Sequence, residues 1–200
     1  MKTQAKLYAA MAVLLLPAMA AMPEIDLAKA LGNPTAPVKI EVFSDFTCPH
    51  CKHFHEEMLP ELMRDYVVPG KVYVIDRAFQ LQQQFSREAF AFSIAAARIG
   101  KYHAVADALY AQQATWATNG NVWGAVASAL PSAADQKKVQ ELSHDAGVLA
   151  EIDNESREGA NAGINQTPSL IVTVGGRSYP LPPAPDYRLL KSMIDGLLPK

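Results

Sequence analysis

Residues 48–51 have the sequence Cys-Pro-His-Cys and contain the only two cysteines of the 200-residue chain. Two thiols at this spacing can close a short disulfide, so the chemistry that the motif predicts is thiol–disulfide exchange. The β-branched and aromatic run 38–44 predicts a strand before the motif, and the three- and four-residue spacing of apolar side chains in 52–66 predicts a helix after it. A C-x-x-C motif between a strand and a helix is typical of a redox site.

The predicted start of the helix gives the two cysteines different environments. Pro49 fits the first helical turn, which puts Cys48 at the cap position, close to the free N–H groups of that turn. These donors and the positive end of the helix dipole favour a thiolate, and His50 would add a second positive group beside it. Cys51 lies one turn further along, on the same face. We therefore expect Cys48 to be the more exposed and more reactive thiol, and a stable thiolate there makes the disulfide a stronger oxidant.

Residues 1–20 have the pattern of a cleaved secretory signal peptide. A short basic start precedes an apolar run over 7–16, which is too short to span a membrane readily, and the small residues Ala18 and Ala20 follow at the positions that a signal peptidase reads. We expect cleavage at or near Ala20, with an uncleaved anchor as the alternative. The remainder, 21–200, is long enough for one sizeable core and is predicted to be a single domain.

The charge and the cysteine spacing limit the classes of function. Without Lys2 and Lys6, the 18 basic residues fall to 16 against 20 acidic ones, a formal net charge of −4 that gives no reason to expect a nucleic-acid partner. A disulfide with only two intervening residues closes a very small loop, so its contribution to stability is small. The cysteine pair is therefore expected to carry out chemistry rather than to staple the fold.

Beyond the motif, the sequence predicts the order β-α-β, a helical block, and then β-β-α. The lead-in 23–37 contains Gly-Asn-Pro and Ala-Pro and is predicted to be loop. A strand that follows the first helix is expected to run parallel to the first strand. The predicted elements after the first helix are a strand at 72–75, an alanine-rich helical block at about 86–162, a hairpin of strands 169–174 and 177–181, and a last helix at 186–198.

This order of elements resembles the thioredoxin fold, an α/β architecture, and the inserted helical block resembles the DsbA-like thiol–disulfide oxidoreductases of bacterial envelopes. The resemblance is carried by residues 43–51 and by residues 166–169, which read Gln-Thr-Pro-Ser, and it spans nearly all of 21–200. In this family the Cys-Pro-His-Cys motif is associated with the oxidising members.

The resemblance implies a role for each matching residue. Cys48 would be the attacking cysteine and Cys51 the resolving one, with Pro49 and His50 between them in the catalytic motif. Thr167 and Pro168 would bind the substrate, and Pro168 would be a cis-proline that faces the cysteines.

The function that the resemblance implies is an exported enzyme that introduces disulfide bonds into secreted or envelope proteins. Its partners would be reduced or unfolded client proteins and a membrane-bound redox partner, and its location would be the periplasm or another extracytoplasmic compartment. Residues 21–37 leave no room for the dimerisation domain of dedicated isomerases, so a monomer is expected. No cofactor is expected.

Two departures from the family pattern leave the net direction of the reaction open. Val42 occupies the position where family members commonly carry a buried acid, and Glu41 beside it should point to the other face of the sheet. Thr167 is more typical of some isomerases and of several DsbA-like branches. A disulfide isomerase or reductase of the same compartment is therefore the alternative within this class.

Two further alternatives belong to other classes. His53 and His55 follow the motif and could be metal ligands, but only His55 shares the helix face of Cys51, and a closed zinc site needs four convergent ligands. We expect both histidines to lie on the solvated helix surface, with no metal bound. A non-catalytic thioredoxin-like module is the second alternative, and it predicts an inert thiol pair.

Overall fold

A five-stranded mixed sheet forms the centre of the protein, in a computed structural model that describes residues 24–81, 83–181 and 186–198. The strands are β1 (Ala30–Leu31), β2 (Val38–Ser44), β3 (Val72–Ala78), β4 (Ser169–Val174) and β5 (Arg177–Pro180). Their order across the sheet is β1-β3-β2-β4-β5, with β2 and β3 parallel and the other neighbours antiparallel. The predicted parallel pair and the predicted hairpin are both confirmed.

The helices follow the predicted order as well. Helix α2 is the continuous helical segment over residues 49–67 that follows the cysteine motif. The other helices are α1 (Glu24–Lys29), α3 (Ser86–Ala97), α4 (Tyr102–Ala111), α5 (Gln113–Asn119), α6 (Val122–Ser128), α7 (Ala133–Leu142), α8 (Ala146–Asn161) and α9 (Tyr187–Leu197). The thioredoxin-like α/β fold with an inserted helical block is confirmed. The predicted signal peptide at 1–20 lies outside the described residues.

Helix α2 is not a regular α-helix along its whole length. The α-helical segments Pro49–His53 and Leu59–Leu62 alternate with π-helical turns at Phe54–Met58 and Met63–Val67. Pro60 lies two residues after the end of the first π-helical turn and has no N–H to donate to the preceding turn, which accounts for the wider turn at that point. The helix remains continuous and packs against one face of the sheet.

Three groups of buried side chains fill the fold. One lies between that sheet face, α2 and α9, and includes Val42, Phe54 and Leu190. A small one on the opposite face includes Phe43 and Phe79. The largest lies within the helical block, and both cysteines belong to it. The cysteine pair therefore lies where the sheet domain meets the helical block.

The segment 23–37, which precedes β2, differs from the prediction. Instead of loop throughout 23–37, residues Glu24–Lys29 form α1 and Ala30–Leu31 form β1, which pairs with the edge of β3. These elements form because of contacts with distant segments: Ile25 is buried against the helical block, and the buried Lys29 ammonium pairs with Glu155 of α8.

Among the described residues, no helix is long and apolar enough to cross a membrane.

Candidate active site

The loop between β2 and α2 is held by a buried carboxylate. Asp45 is fully buried, and one of its oxygens accepts hydrogen bonds from the Thr47 N–H at 2.8 Å and the Thr47 hydroxyl at 2.6 Å. Its second oxygen accepts from the Leu81 N–H at 2.9 Å and the Ser86 hydroxyl at 2.7 Å. These four donors compensate the burial of the charge and fix the chain just before Cys48.

Cys48 occupies the N-cap of α2, as the sequence predicts. Its backbone is extended, with φ −81° and ψ 120°, and Pro49 stands in the first turn after it. A hydrogen bond from the Cys51 thiol is the largest influence on Cys48 and, against the opposing effect of burial, lowers its pKa to about 5. The contact with Thr167 and the backbone N–H groups of Cys51 and His50 also contribute to this lowered pKa. At neutral pH the Cys48 sulfur is therefore a thiolate.

Cys51 has the opposite electrostatic environment. It is almost fully buried, and the Asp45 N–H donates to its sulfur at 3.4 Å. Burial, followed by the hydrogen bond to the Cys48 sulfur, raises the pKa of Cys51 above its ordinary value. One cysteine of the pair is thus stable as a thiolate, whereas the other keeps its proton.

Alkylation should distinguish the two thiols. In the reduced protein at pH 7, we expect iodoacetamide to modify Cys48 much faster than Cys51, because only Cys48 is a thiolate at that pH. The rate at Cys48 should be nearly constant above about pH 6 and fall by about tenfold per pH unit well below its pKa. Peptide mapping by mass spectrometry over pH 3–9 measures both rates. Equal labelling, or faster labelling of Cys51, would reverse the assignment.

The predicted Thr167 and Pro168 pair lies directly beside Cys48. The Thr167–Pro168 peptide bond is cis, and the Thr167 carbonyl oxygen is 3.3 Å from the Cys48 sulfur. The Thr167 side chain is buried, and its hydroxyl has no well-formed hydrogen bond to any described residue. The structure therefore brings together the two segments that the sequence singled out, which are separated by more than a hundred residues.

The three histidines near the motif lie in different environments. His50 and His53 are exposed, and His50 favours the Cys48 thiolate through its backbone N–H. The prediction that His55 lies on solvated helix surface is wrong, because its Nε2 is 2.7 Å from the Asp107 carboxylate and its ring packs against Tyr110 at 4.6 Å between centroids. Both partners belong to α4, so the helical block covers this side of α2.

Gln113 is a site residue that the sequence analysis missed. Its side chain, on α5 in the helical block, is buried and donates to the carbonyl oxygens of Phe46 at 2.6 Å and Cys48 at 3.0 Å. It joins the helical block to the loop that leads into Cys48. Nothing in the local pattern around Gln113 indicates this contact, because it depends on the packing of α5 against the motif.

Val42 of β2 lies where related proteins commonly carry a buried acid, and the structure shows the surroundings of its side chain and of the adjacent Glu41. Val42 is fully buried in the apolar core beneath α2, while Glu41 points to the other side, where it pairs with Arg77 at 3.0 Å. Both placements agree with the predicted alternation. Asp76 of β3 lies opposite Val42 in the parallel register, and burial raises its pKa. The structure thus has a carboxyl group one strand away from the position where the sequence has none.

No set of three potential metal ligands among the described residues includes Cys48, Cys51 or His55. The group of acids whose oxygens come within 4.8 Å of one another is Asp26, Glu151 and Glu155. Two cations of the protein already pair with this group, Lys29 and Arg77. These acids therefore form a buried ion-pair network.

Comparison with known proteins identifies the family. The family model described as thioredoxin matches residues 27–195. A probable disulfide bond formation protein D of Bacillus cereus is 26% identical over 178 residues, which are 86% of this chain and 79% of that protein. The match to disulfide bond formation protein D of Bacillus subtilis is 34% identical over 55 residues and spans 28% of this chain and 25% of that protein.

A solved structure agrees at the level of the fold. The crystal structure of alpha-DsbA1 from Wolbachia pipientis has a TM-score of 0.70 with this chain at 22% identity, and the match covers 84% of this chain and 89% of that one. The extent of the family match and this shared fold agree with the position of the cysteine pair at the first strand–helix junction. The chain belongs to the thioredoxin family and shares the fold of the solved DsbA structure, with its two cysteines three positions apart at the first strand–helix junction.

Proposed function

We propose that this protein is an exported dithiol oxidase that donates its Cys48–Cys51 disulfide to reduced client proteins. The observation that carries the proposal is the difference between the two thiols: the pKa of Cys48 is lowered to about 5, whereas that of Cys51 is raised. A disulfide whose reduced form contains a stabilised thiolate is a strong oxidant, because reduction of the disulfide produces that stabilised thiolate.

The reaction has two exchange steps. A client thiolate attacks the Cys48 sulfur of the disulfide, the Cys48–Cys51 bond breaks, and Cys51 leaves and takes up a proton. A second client thiolate then attacks the client sulfur of the mixed disulfide, and Cys48 leaves as a thiolate. Two electrons pass from the client to the protein. Of the two protons that the client thiols lose, one ends on Cys51 and the other in solvent.

The neighbouring residues have supporting roles in this mechanism. Pro49 starts the helix whose N–H groups favour the Cys48 thiolate, and His50 contributes one of these N–H groups. The backbone of Thr167, beside the Cys48 sulfur, would pair with an extended client segment, with Pro168 next to it. The low pKa of Cys48 also makes it a good leaving group, so the mixed disulfide resolves quickly.

The cellular setting is part of the proposal. The pattern of residues 1–20 supports a cleaved signal peptide, with 21–200 as the DsbA-like domain and 86–162 as its helical insertion. Clients would reach the protein in the periplasm, or another extracytoplasmic compartment, as reduced and unfolded chains. A membrane-bound redox partner would restore the disulfide, and the oxidase would act as a monomer. The Bacillus relatives are named disulfide bond formation protein D, which agrees with this direction.

The direction of the reaction can be tested directly. Oxidised protein is mixed with a reduced, unfolded substrate that has several cysteines, and the loss of client thiols is followed by alkylation and mass spectrometry. We expect about one client disulfide per molecule of protein, and a reduction potential of about −180 mV or less negative in glutathione buffers. If client oxidation stays at background while the reduced protein cleaves disulfides or rearranges wrongly paired ones, the protein is a reductase or an isomerase and the oxidase assignment is wrong.

A further inference from the structure

A groove with a volume of about 380 Å³ borders the cysteine motif along helix α2. His50 of the motif lines one end of it. His53 and Tyr187 also line it. We call it the acidic groove, and the apolar and acidic part of its lining comprises Phe54, Glu57, Met58, Glu61, Pro168 and Asp186. The groove therefore starts at the proposed site of disulfide exchange and continues along the helix away from it.

The acidic side of the groove contains two glutamates one helical turn apart. Glu57 and Glu61 lie four positions apart on α2, where like charges repel each other. Neither takes part in an ion pair with any other described residue, whereas their neighbour Glu56 is 3.1 Å from the Lys52 ammonium. No ion pair among the described residues therefore relieves this repulsion; the cationic side chain of Arg64 is three positions after Glu61 but pairs with Asp65.

The remaining lining completes a site with an acidic wall and an apolar floor. Phe54 and Met58 form the floor, with side chains that are buried in the core beneath α2. Asp186 also lines the groove, and one of its oxygens caps α9 by accepting from the Leu189 N–H at 2.8 Å. Its other oxygen is 3.7 Å from the exposed Arg188 guanidinium. Lysine and arginine side chains match such a site, because an apolar stem carries a charged end.

Resting on the proposed function, we propose that the acidic groove binds a cationic segment of the client protein. The bound residue is a lysine or arginine about four positions from the client cysteine that attacks Cys48. Glu57 lies about 14 Å along the helix from Cys48, a distance that about four residues of extended chain span. The cation offsets the repulsion between Glu57 and Glu61, and its stem packs on Phe54 and Met58. The enzyme thus selects basic clients.

Peptides that differ only in charge test this selection. Two peptides have the same pair of cysteines, and the residue four positions from the first cysteine is lysine in one and glutamine in the other. Oxidised protein is mixed with each reduced peptide, and the second-order rate of disulfide transfer is measured by stopped-flow fluorescence. The same ratio of rates is measured for the Glu57→Gln/Glu61→Gln variant. Because the two peptide rates are divided for the same enzyme, a general change in the reactivity of the variant does not affect the ratio. Because the ratios of the wild type and the variant are then compared, an effect of lysine on the reactivity of the peptide thiol does not affect the result either.

We expect the lysine-to-glutamine ratio to fall about threefold in the Glu57→Gln/Glu61→Gln variant, which is the effect of losing two exposed ion pairs. In the wild type the ratio should also decrease in 1 M salt. The matched control is Glu56→Gln/Glu141→Gln, which removes two exposed glutamates outside the groove and should keep the wild-type ratio. An unchanged ratio in the groove variant, with both peptides still oxidised, overturns the inference and leaves the oxidase intact. If neither peptide is oxidised above background, the proposed function fails and the inference with it.

Discussion

The Cys48→Ser variant should lose disulfide transfer to clients down to the uncatalysed background. The hydroxyl of serine forms no disulfide, and the Cys51 hydrogen bond and N-cap N–H groups that lower the pKa of Cys48 to about 5 then have no thiolate to stabilise. Loss of the attacking group of an enzyme typically reduces the rate by about 10³-fold or more. The measurement is the rate at which a reduced, unfolded substrate loses its thiols in the presence of each variant.

The matched variant is Cys51→Ser, which keeps the attacking sulfur and removes only the resolving one. With cystamine it should form a mixed disulfide between Cys48 and cysteamine. A client thiolate then attacks the Cys48 sulfur and cysteamine leaves, so that Cys48–client adducts accumulate. Non-reducing electrophoresis and mass spectrometry identify these adducts. If Cys48→Ser forms the client adducts and Cys51→Ser does not, the roles of the two cysteines are exchanged.

The parts of the fold that the sequence predicts are those governed by local pattern. The alternation of β2 and the spacing of apolar residues in α2 locate the strand–helix junction, and the connection between parallel strands fixes the direction of β3. The position of Cys48 at the N-cap follows from Pro49 alone. The Thr167–Pro168 pair was found through the family resemblance, because no local pattern places residues 119 positions apart next to each other.

The features that the sequence did not predict depend on contacts between distant segments. The segment that contains α1 also carries loop signals, and α1 forms because it is buried against β3 and the helical block. His55 has a polar helix pattern, but α4 covers it with Asp107 and Tyr110. Gln113 reaches the Cys48 carbonyl from 65 positions away. In each case the helical block, which is an insertion, supplies the partner, and periodicity within one element carries no information about it.

The same principle applies to the buried charges that join the lead-in to the rest of the protein. Glu155 of α8 is almost fully buried, and one of its oxygens accepts from the Lys29 ammonium and from the Arg77 guanidinium, the latter at 3.0 Å. Its other oxygen accepts from the Ala78 N–H at 2.9 Å. Arg77 in turn pairs with Asp26 at 2.6 Å. One carboxylate thus ties α1, β3 and α8 together.

The Glu155→Ala variant should therefore be strongly destabilised, by about 3–5 kcal/mol. The substitution leaves Lys29 buried beside no direct partner except the more distant Glu151, and it leaves the Ala78 N–H without its acceptor. For a domain of this size the melting temperature should fall by about 10 °C. Urea unfolding followed by circular dichroism measures the change, and Glu158→Ala, an exposed glutamate on the same helix, should stay within about 0.5 kcal/mol of the wild type.

A double variant separates the ion pair from simple loss of packing. In Lys29→Met/Glu155→Met the buried ammonium and carboxylate are both replaced by apolar groups, so the loss of stability should be smaller than the sum of the losses in the two single variants. It should not vanish, because Arg77 and the Ala78 N–H still lose the carboxylate that they contact. Additive losses would show that Lys29 and Glu155 contribute independently, and a Glu155→Ala variant within about 1 kcal/mol of the wild type would contradict a stabilising role for the network.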